Sequence, residues 1–275
     1  MLTTRFAPSP TGRLHLGHAY AAWFAADLAA ANAGRFLVRL EDIDQQRCRP
    51  AFAAAIDEDL AWLGIPGDEP IRRQSDHYAD YATALARLTS MGLIYRCYLT
   101  RRRLNAIFVA PHGTPAAGEV VFDTDAALPA DERYRLAAAG APFALRLRCR
   151  AALARTGPLT WHDRVAGSQN VRAEMIGDVV LARKDSPTSY HLAVTVDDAA
   201  QGVTLVTRGR DLFAASHVHR LLQALLDLPV PEYHHHRLIT DGAGRRFAKR
   251  DQAVTLAALR AAGHSPQDLR EMVGL

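Results

Sequence analysis

The sequence contains few cysteines, few lysines and no long apolar segment, and each absence excludes a class of protein. Cysteines occur only at Cys48, Cys97 and Cys149, which are too far apart for a disulfide framework or a Cys-x-x-Cys metal site. No apolar run approaches the roughly 20 residues that span a bilayer, and the N-terminus lacks the basic and then apolar pattern of a signal peptide. We therefore expect a cytoplasmic protein that is not associated with a membrane.

The composition is that of an ordinary globular protein. Its 275 residues are 49% hydrophobic and 23% charged, which suffices for one large domain or two small ones. The net charge of +4 and the isoelectric point near 9.1 favour a polyanionic partner, although they are too mild to identify one.

Lysine is the scarcest basic residue, with only Lys184 and Lys249 among 33 lysines and arginines. The excess of arginine and alanine indicates a GC-rich genome, which explains the arginines without any function. It does not explain why a lysine is kept at position 249, between two arginines at 246 and 250. An ammonium group is a compact, mobile charge that can follow a phosphoryl group through a reaction, whereas a guanidinium is a rigid fork. Lys249 is therefore a candidate catalytic residue.

A candidate phosphate site lies near the N-terminus. A turn rich in Pro, Ser and Gly precedes an Ala-rich stretch from Leu14 to Asn32, which predicts a strand, a loop and the start of a helix with free backbone N–H groups. His15 and His18 fall on one face of the first helical turn, and Gly17 leaves room for a flat ring against the backbone. This pattern suits adenine and its phosphates. The alternative is that both histidines are only polar groups at a helix N-terminus.

Apolar periodicity along the rest of the chain predicts alternating strands and helices. Strands are predicted at 35–40, 94–95 and 143–150, and an apolar alternation that is typical of strands continues from 179 through 190–198 and 203–208. Helices are predicted to begin at 50 and to cover 77–91 and 216–226, and two further helices are predicted in the tail, 254–275. This alternation predicts an α/β fold with a mainly parallel sheet. Its ligands would bind at the carboxyl ends of the strands, where we expect Glu41, Tyr190 and Arg208.

The same periodicity divides the chain into four predicted parts. Residues 1–99 and 179–240 would be the two halves of a nucleotide-binding domain. Residues 100–178, which are punctuated by Pro and Gly, would form an inserted α+β subdomain, and 241–275 would contain the Lys249 loop and a short helical tail.

Two strings of the sequence resemble signatures of the class I aminoacyl-tRNA synthetases. His15-Leu16-Gly17-His18 is similar to their His-Ile-Gly-His motif, and Arg5-Phe6-Ala7-Pro8-Ser9-Pro10-Thr11-Gly12 resembles the version found in the glutamyl and glutaminyl branch. Lys249 falls on the second lysine of their Lys-Met-Ser-Lys-Ser loop, whose other positions mostly differ here. The resemblance implies a Rossmann-like catalytic domain that binds ATP through His15, Gly17, His18 and Lys249.

Resemblance to the glutamyl branch also implies a set of glutamate-binding residues. The set is Arg5, Ser9, Glu41, Tyr190 and Arg208. Its charges agree with the substrate, because a dicarboxylic amino acid needs two cations for its carboxylates and an anion for its ammonium group. Taken singly, each charged residue is explained equally well by a surface ion pair. The sequence does not decide which arginine binds which carboxylate.

The reaction implied by this family is attack of the glutamate α-carboxylate on the α-phosphate of ATP, which releases pyrophosphate and forms glutamyl adenylate. We expect His15, His18 and Lys249 to be catalytic by stabilising the growing negative charge, without acting as general bases. Mg²⁺ would arrive with the pyrophosphate moiety of ATP, since the sequence contains no carboxylate cluster that requires a protein-held metal.

The sequence stops soon after Lys249, where full-length glutamyl-tRNA synthetases continue, so we expect no anticodon-binding domain. In this it is similar to the shorter glutamyl-queuosine tRNA(Asp) synthetase branch. That resemblance implies activation without tRNA and transfer of glutamate to the queuosine base of tRNA(Asp), and we expect a monomer. Two alternatives remain: a ligase that uses the terminal ribose, and a silent paralogue that binds tRNA or senses glutamate.

Two cysteine- or histidine-containing segments are predicted to hold no metal. Many family members carry zinc through Cys-x-Cys followed by Tyr and Cys, but here Leu99 follows Cys97 at the second position, and residues 118–125 contain no cysteine. The run His234-His235-His236 would alternate between the faces of a strand, so we expect a solvated strand end.

Overall fold

The computed structural model describes residues 1–100, 124, 127–172, 177–239 and 254–275. Strands and helices alternate through most of them. The strands are β1 (Thr3–Phe6), β2 (Arg35–Leu40), β3 (Arg72–Arg73), β4 (Ile94–Cys97), β5 (Ala144–Leu147), β6 (Thr160–Asp163), β7 (Gly167–Asn170), β8 (Val180–Arg183), β9 (Leu205–Gly209) and β10 (Glu232–His236). The α-helices are α1 (Leu16–Ala31), α2 (Pro50–Trp62), α3 (Tyr78–Ser90), α4 (Ala130–Ala138), α5 (Cys149–Thr156), α6 (Tyr190–Ala200), α7 (Ala215–Leu226), α8 (Leu256–Ala261) and α9 (Pro266–Val273).

The main sheet consists of two hydrogen-bonded groups of strands, β1-β2-β3 and β9-β10-β6-β7. Thr3 and Thr204 join the groups, because each backbone N–H donates to the other residue, at 2.9 Å to the Thr204 Oγ1 and at 3.0 Å to the Thr3 carbonyl. All pairs in these groups are parallel except β6 with β7. The predicted α/β fold with a mainly parallel sheet is therefore confirmed.

Local sequence signals begin several of the helices. Pro50 occupies the first turn of α2, where its fixed φ and missing N–H cost nothing. The side chains of Ser189, Thr255 and Ser265 cap α6, α8 and α9 by accepting backbone N–H groups. Apolar residues from α1, β2, α2 and the tail helices form one core, and those from α3, α5, α6 and α7 form another.

The segment 190–198 differs from its prediction, because it is helix α6 and not a strand. Its residues Leu192, Ala193, Val194 and Thr195 are all buried, so the apolar run contains no solvated face that would mark a helical period. The side chain of Ser189 caps the N-terminus of this helix by accepting the N–H of Leu192. Tyr190 therefore lies at the start of a helix and not at the carboxyl end of a strand.

The inserted subdomain predicted at 100–178 stays a prediction, but the sheets of the structure cross these limits. An antiparallel sheet with the order β4-β5-β8 takes strands from before residue 100 and from after residue 178. Strands β6 and β7, which were expected within the insertion, belong to the main sheet. The predicted strand at 143–150 is limited to β5, since Cys149 already opens α5.

The three histidines of β10 are less exposed than predicted. Only 6% of His235 and 7% of His236 is accessible to solvent. The strand lies between β9 and β6, so both its edges are paired and neighbouring side chains cover its faces. The prediction of a solvated strand end was therefore wrong.

Candidate active site

A cavity of about 940 Å³ opens beside the carboxyl ends of β1 and β2. Ser9, Glu41 and Tyr190, three of the residues predicted to form one pocket, line it together with His191. The N–H of Glu41 donates to the carbonyl of Pro8 at 3.0 Å, which ties the end of β2 to the loop that carries Ser9. Residues from three separate segments are thus brought to one cavity.

Arg5 and Arg208, the two predicted arginines, are buried in β1 and β9 and are not part of the cavity lining. Arg208 reaches the cavity through Tyr190, because its Nη1 donates to the Tyr190 hydroxyl at 3.2 Å. Arg5 donates from Nη1 to the Thr207 carbonyl at 3.0 Å, which places its guanidinium beside the strand that carries Arg208.

His15 and His18 form a reciprocal cap at the start of α1, close to where the sequence predicted this helix to begin. The Nδ1 of His15 accepts the N–H of Gly17 at 3.1 Å, and the Nδ1 of His18 accepts the N–H of His15 at 3.2 Å. A neutral imidazole that accepts through Nδ1 carries its proton on Nε2. Each ring is therefore a donor at Nε2, which suits a phosphate oxygen at a helix N-terminus.

Gly17 is required by the same cap. A Cβ at this position would lie 3.1 Å from Cε1 and 3.2 Å from Nδ1 of His15, closer than most side-chain contacts. The imidazole of His15 would have to move, and its cap would weaken.

A buried ionic network lies behind Glu41. The Oδ1 of Asp198 accepts from Nε of Arg5 at 3.0 Å and from Nη1 of Arg39 at 2.8 Å, and Arg39 Nη2 donates to Glu41 at 3.2 Å. Asp197 continues the network, since its Oδ2 lies 3.8 Å from Arg39 Nε. Arg39 has no exposed surface, and its positive charge is paired with the carboxylates of Glu41, Asp197 and Asp198.

Burial and charge act in opposite directions on this network. Burial raises the pKa of Asp198, but Arg5 and Arg39 outweigh it and hold that pKa below its usual range. Burial raises the pKa of Glu41 above its usual range, and here Arg39 and Arg5 compensate only in part. Glu41 is thus the carboxylate whose charge is least stabilised, and a cation in the cavity would stabilise it.

Arg208 has a different environment, because every direct partner is uncharged. Its guanidinium donates to four neighbours, and none of the described residues pairs it with a carboxylate. The acceptors are the Tyr190 hydroxyl at 3.2 Å, Ser216 Oγ at 2.7 Å, His219 Nδ1 at 3.2 Å and His235 Nε2 at 3.2 Å.

The imidazoles near Arg208 are held neutral. Burial, aided by the charge of Arg208, lowers the pKa of His191 and that of His235 to about 4 and lowers the pKa of His219 well below its usual value. Burial raises the pKa of Tyr190, so its hydroxyl keeps its proton. Since that hydroxyl accepts from Arg208, its own proton is available to a ligand.

The whole sequence, residues 1–275, matches the family of tRNA synthetases class I (E and Q), catalytic domain. The chain belongs to this family. It is therefore a ligase of the aminoacyl-tRNA synthetase class, as the sequence motifs predicted.

Among related proteins of this synthetase family, a glutamyl-Q tRNA(Asp) synthetase of Rhodobacter capsulatus is 49% identical over 281 aligned residues, with both chains covered completely. A protein of the same name from Symbiobacterium thermophilum is 42% identical over 97% of this chain and 84% of its own. The crystal structure of a glutamate tRNA ligase from Elizabethkingia meningosepticum, in complex with its amino acid, superposes with a TM-score of 0.80 at 28% identity, over 100% of this chain and 60% of that one.

Parts of the predicted class I site lie outside the described residues. These include Lys249 with its flanking arginines; most of residues 118–125, from which zinc ligands were predicted to be absent, also lie outside the described residues. Cys97 is buried, and its Sγ accepts from Thr124 Oγ1 at 3.2 Å. In the part of the chain that the structure describes, no group of three or more His, Cys, Asp or Glu is arranged to hold a metal ion, and no helix is long and apolar enough to cross a membrane. The absence of zinc stays a prediction.

Sequence reasoning missed several residues beside this cavity. Arg39, Asp198 and the three imidazoles around Arg208 were not among its candidates. One signal was available: Asp197 and Asp198 interrupt an apolar buried run, and buried carboxylates require cationic partners. No comparable signal identified His219, because its contact with Arg208 depends on how α7 packs against β9.

Proposed function

We propose that this protein activates glutamate with ATP, without tRNA, and transfers it to the queuosine base of tRNA(Asp). The observation that carries the proposal is a cavity lined by Ser9, Glu41 and Tyr190 and backed by the cation of Arg208, which has no carboxylate partner among the described residues. A carboxylate is the ligand that such a buried guanidinium binds most strongly. The names of the two glutamyl-Q tRNA(Asp) synthetases support the choice of acceptor.

Glutamate would bind with its side-chain carboxylate at Arg208 and Tyr190. Tyr190 accepts from Arg208 and can therefore donate its own proton to that carboxylate. The ammonium group would lie at Glu41, whose raised pKa the new cation would lower. This leaves the α-carboxylate toward the loop of Ser9, which leads to the helix α1 N-terminus.

ATP would bind at that N-terminus with its phosphates near His15 and His18. Their Nε2–H groups and the Lys249 ammonium group are the donors for charge that develops on the phosphate oxygens. The α-carboxylate attacks the α-phosphorus in line, the bond to the pyrophosphate oxygen breaks, and Mg²⁺ leaves with that product. A hydroxyl of the cyclopentene ring of queuosine then attacks the carbonyl carbon of the adenylate and displaces AMP.

The first step is tested by exchange of labelled pyrophosphate into ATP with no tRNA present. We expect exchange with glutamate, much less with glutamine or aspartate, and a large loss in Lys249→Ala. A folded protein that binds ATP but supports no exchange would contradict tRNA-independent activation.

The second step is tested with labelled glutamate and two modified forms of tRNA(Asp). Product should form on tRNA(Asp) from which the 3′-terminal adenosine has been removed and should vanish with tRNA that lacks queuosine. The opposite pattern would identify a terminal-ribose ligase. This alternative is supported by the similarity to glutamate–tRNA ligase 2 of a Methylobacterium species, which is 41% identical over 95% of this chain and 57% of its own.

A further inference from the structure

The directions of the hydrogen bonds around Arg208 fix the protonation of two histidines beyond it. A guanidinium only donates, so His219 must accept through Nδ1 and carry its proton on Nε2. That Nε2 lies 3.2 Å from Nδ1 of His191. His191 must therefore accept in turn and carry its own proton on Nε2. The cation thus sets the tautomer of a chain of two rings, and the second ring lines the cavity.

The third imidazole is fixed in the opposite tautomer. His235 accepts the Nε–H of Arg208 through its Nε2, so its proton is on Nδ1, which lies 2.6 Å from Oδ2 of Asp163. The Asp163 carboxylate is accordingly separated from Arg208 by a neutral ring. Three backbone N–H groups, those of Val165, Ala166 and His235, also donate to this carboxylate, which is therefore satisfied without the guanidinium.

The protein thus holds Arg208 in place on four sides without cancelling its charge. A cation buried with only neutral partners costs stability relative to one that is paired, so the arrangement needs a different explanation from stability. An anion that enters the cavity and reaches Tyr190 would supply the missing charge. A neutral carboxamide would gain only ordinary hydrogen bonds there.

We propose that His219, held by His191, is a specificity-determining positioning residue that orients the Arg208 guanidinium while leaving its charge available, so that the cavity prefers a carboxylate to a carboxamide. The proposal rests on the function proposed above and extends it to two residues with no assigned role. An acidic side chain at position 219 would orient Arg208 equally well, but it would also neutralise it.

The first test measures the tautomers directly and requires no activity. The full chain is labelled with ¹⁵N-histidine, and His219→Asn and His191→Asn variants assign the imidazole signals. At neutral pH we expect unprotonated Nδ1 atoms in His219 and His191 and an unprotonated Nε2 in His235. A His219 ring that is protonated on Nδ1 would overturn the proposal.

The second test separates charge from packing at position 219. In His219→Asp, the ratio of kcat/KM for glutamate to that for glutamine in pyrophosphate exchange should fall about 100-fold, mainly through KM for glutamate. In His219→Asn, which keeps a neutral acceptor, the ratio should change less than about threefold. Equal losses for both amino acids in both variants would reduce His219 to a purely structural residue.

His217 provides the matched control, because it is buried in the same helix and contacts Trp161 instead of Arg208. His217→Asp should lower the melting temperature without changing the ratio. If His219→Asp does not fold, the wild-type tautomers and the ratio in His219→Asn still decide the matter. Absence of exchange in the wild-type protein, with the expected tautomers present, would contradict the proposed function and not the hydrogen-bond chain.

Discussion

Arg39 and Arg208 are both buried in the main sheet, yet they have opposite kinds of partners. Around Arg39, three arginines meet three carboxylates, since Arg72 also pairs with Asp197 at 2.9 Å. Around Arg208, every direct acceptor among the described residues is a hydroxyl or a neutral imidazole. The arginines of the first cluster are paired with carboxylates within the protein, whereas Arg208 has no carboxylate partner among the described residues.

This difference separates a structural role from a binding role for the same type of residue. A balanced buried network holds β1, β2 and α6 together, and it becomes costly when one partner is lost. An unbalanced cation contributes little to folding but much to the affinity for a carboxylate. Burial alone would not have distinguished the two arginines, because both are almost fully buried.

The largest expected effect is on stability, in Arg39→Met. The substitution leaves the carboxylates of Glu41, Asp197 and Asp198 with one cation fewer in a buried site, so the free energy of unfolding should fall by about 3–5 kcal/mol. Urea denaturation of the wild-type and variant proteins measures this loss. A change below about 1 kcal/mol would show that the network is not a structural element.

The same substitution at the second arginine, Arg208→Met, should have the opposite profile. Only neutral acceptors lose a donor, so the free energy of unfolding should change by less than about 2 kcal/mol. The kcat/KM for glutamate in pyrophosphate exchange should fall about 10²–10³-fold, because a desolvated charge pair with the substrate is lost. If Arg39→Met and Arg208→Met prove equally unstable, the contrast between the clusters is wrong.

The sequence predicted the elements of this site better than their contacts. Strand β2 and helix α1 follow from a clear alternation and from a Pro- and Gly-rich turn before an Ala-rich run. Segment 190–198 was misassigned, because a buried helix and a buried strand share the same apolar composition. The five residues predicted to bind glutamate lie in the cavity lining or directly behind it, because positions taken from a family motif share the fold of that family. They are Arg5, Ser9, Glu41, Tyr190 and Arg208.

The partners of those residues could not be predicted in the same way. Arg5 and Asp198 are separated by 193 positions, and their contact depends on how α6 packs against β1. The His234–His236 run was expected to be solvated, because its sequence is polar and the two neighbouring strands that cover it come from distant segments. Charge balance around a buried group is a property of the packed fold and not of any local pattern.

Acid should affect His235, in the Arg208 cluster, and Asp198, in the Arg39 cluster, in different pH ranges. The pKa of His235 is about 4 in the folded protein and near 6.5 in the unfolded chain, so the unfolded chain binds the proton more readily between these values. The contribution of neutral His235 to the free energy of unfolding should thus be fully present above pH 6.5. As the pH approaches 4, this contribution should decrease by up to about 3 kcal/mol. Asp198, whose pKa is lowered, would contribute its loss only below about pH 4.

Urea denaturation at several pH values between 7 and 4 tests this separation. His235→Gln keeps a neutral acceptor for Arg208 but cannot be protonated, so its stability should depend less on pH in this range. An unchanged slope would mean that the acid sensitivity arises elsewhere in the protein.

The smallest expected effect is that of Tyr190→Phe, which removes the hydroxyl through which Arg208 contacts the cavity lining. The kcat/KM for glutamate should fall about tenfold, the magnitude of one lost hydrogen bond to a charged group, and stability should hardly change. Tyr78→Phe is the matched control, because its hydroxyl lies beside the cavity residues Ile43 and Gln45 and does not contact Arg208. If kcat/KM falls no more in Tyr190→Phe than in Tyr78→Phe, the Tyr190 hydroxyl does not connect Arg208 to the substrate. The distinction between Arg39 and Arg208 would then depend on the result of Arg208→Met alone.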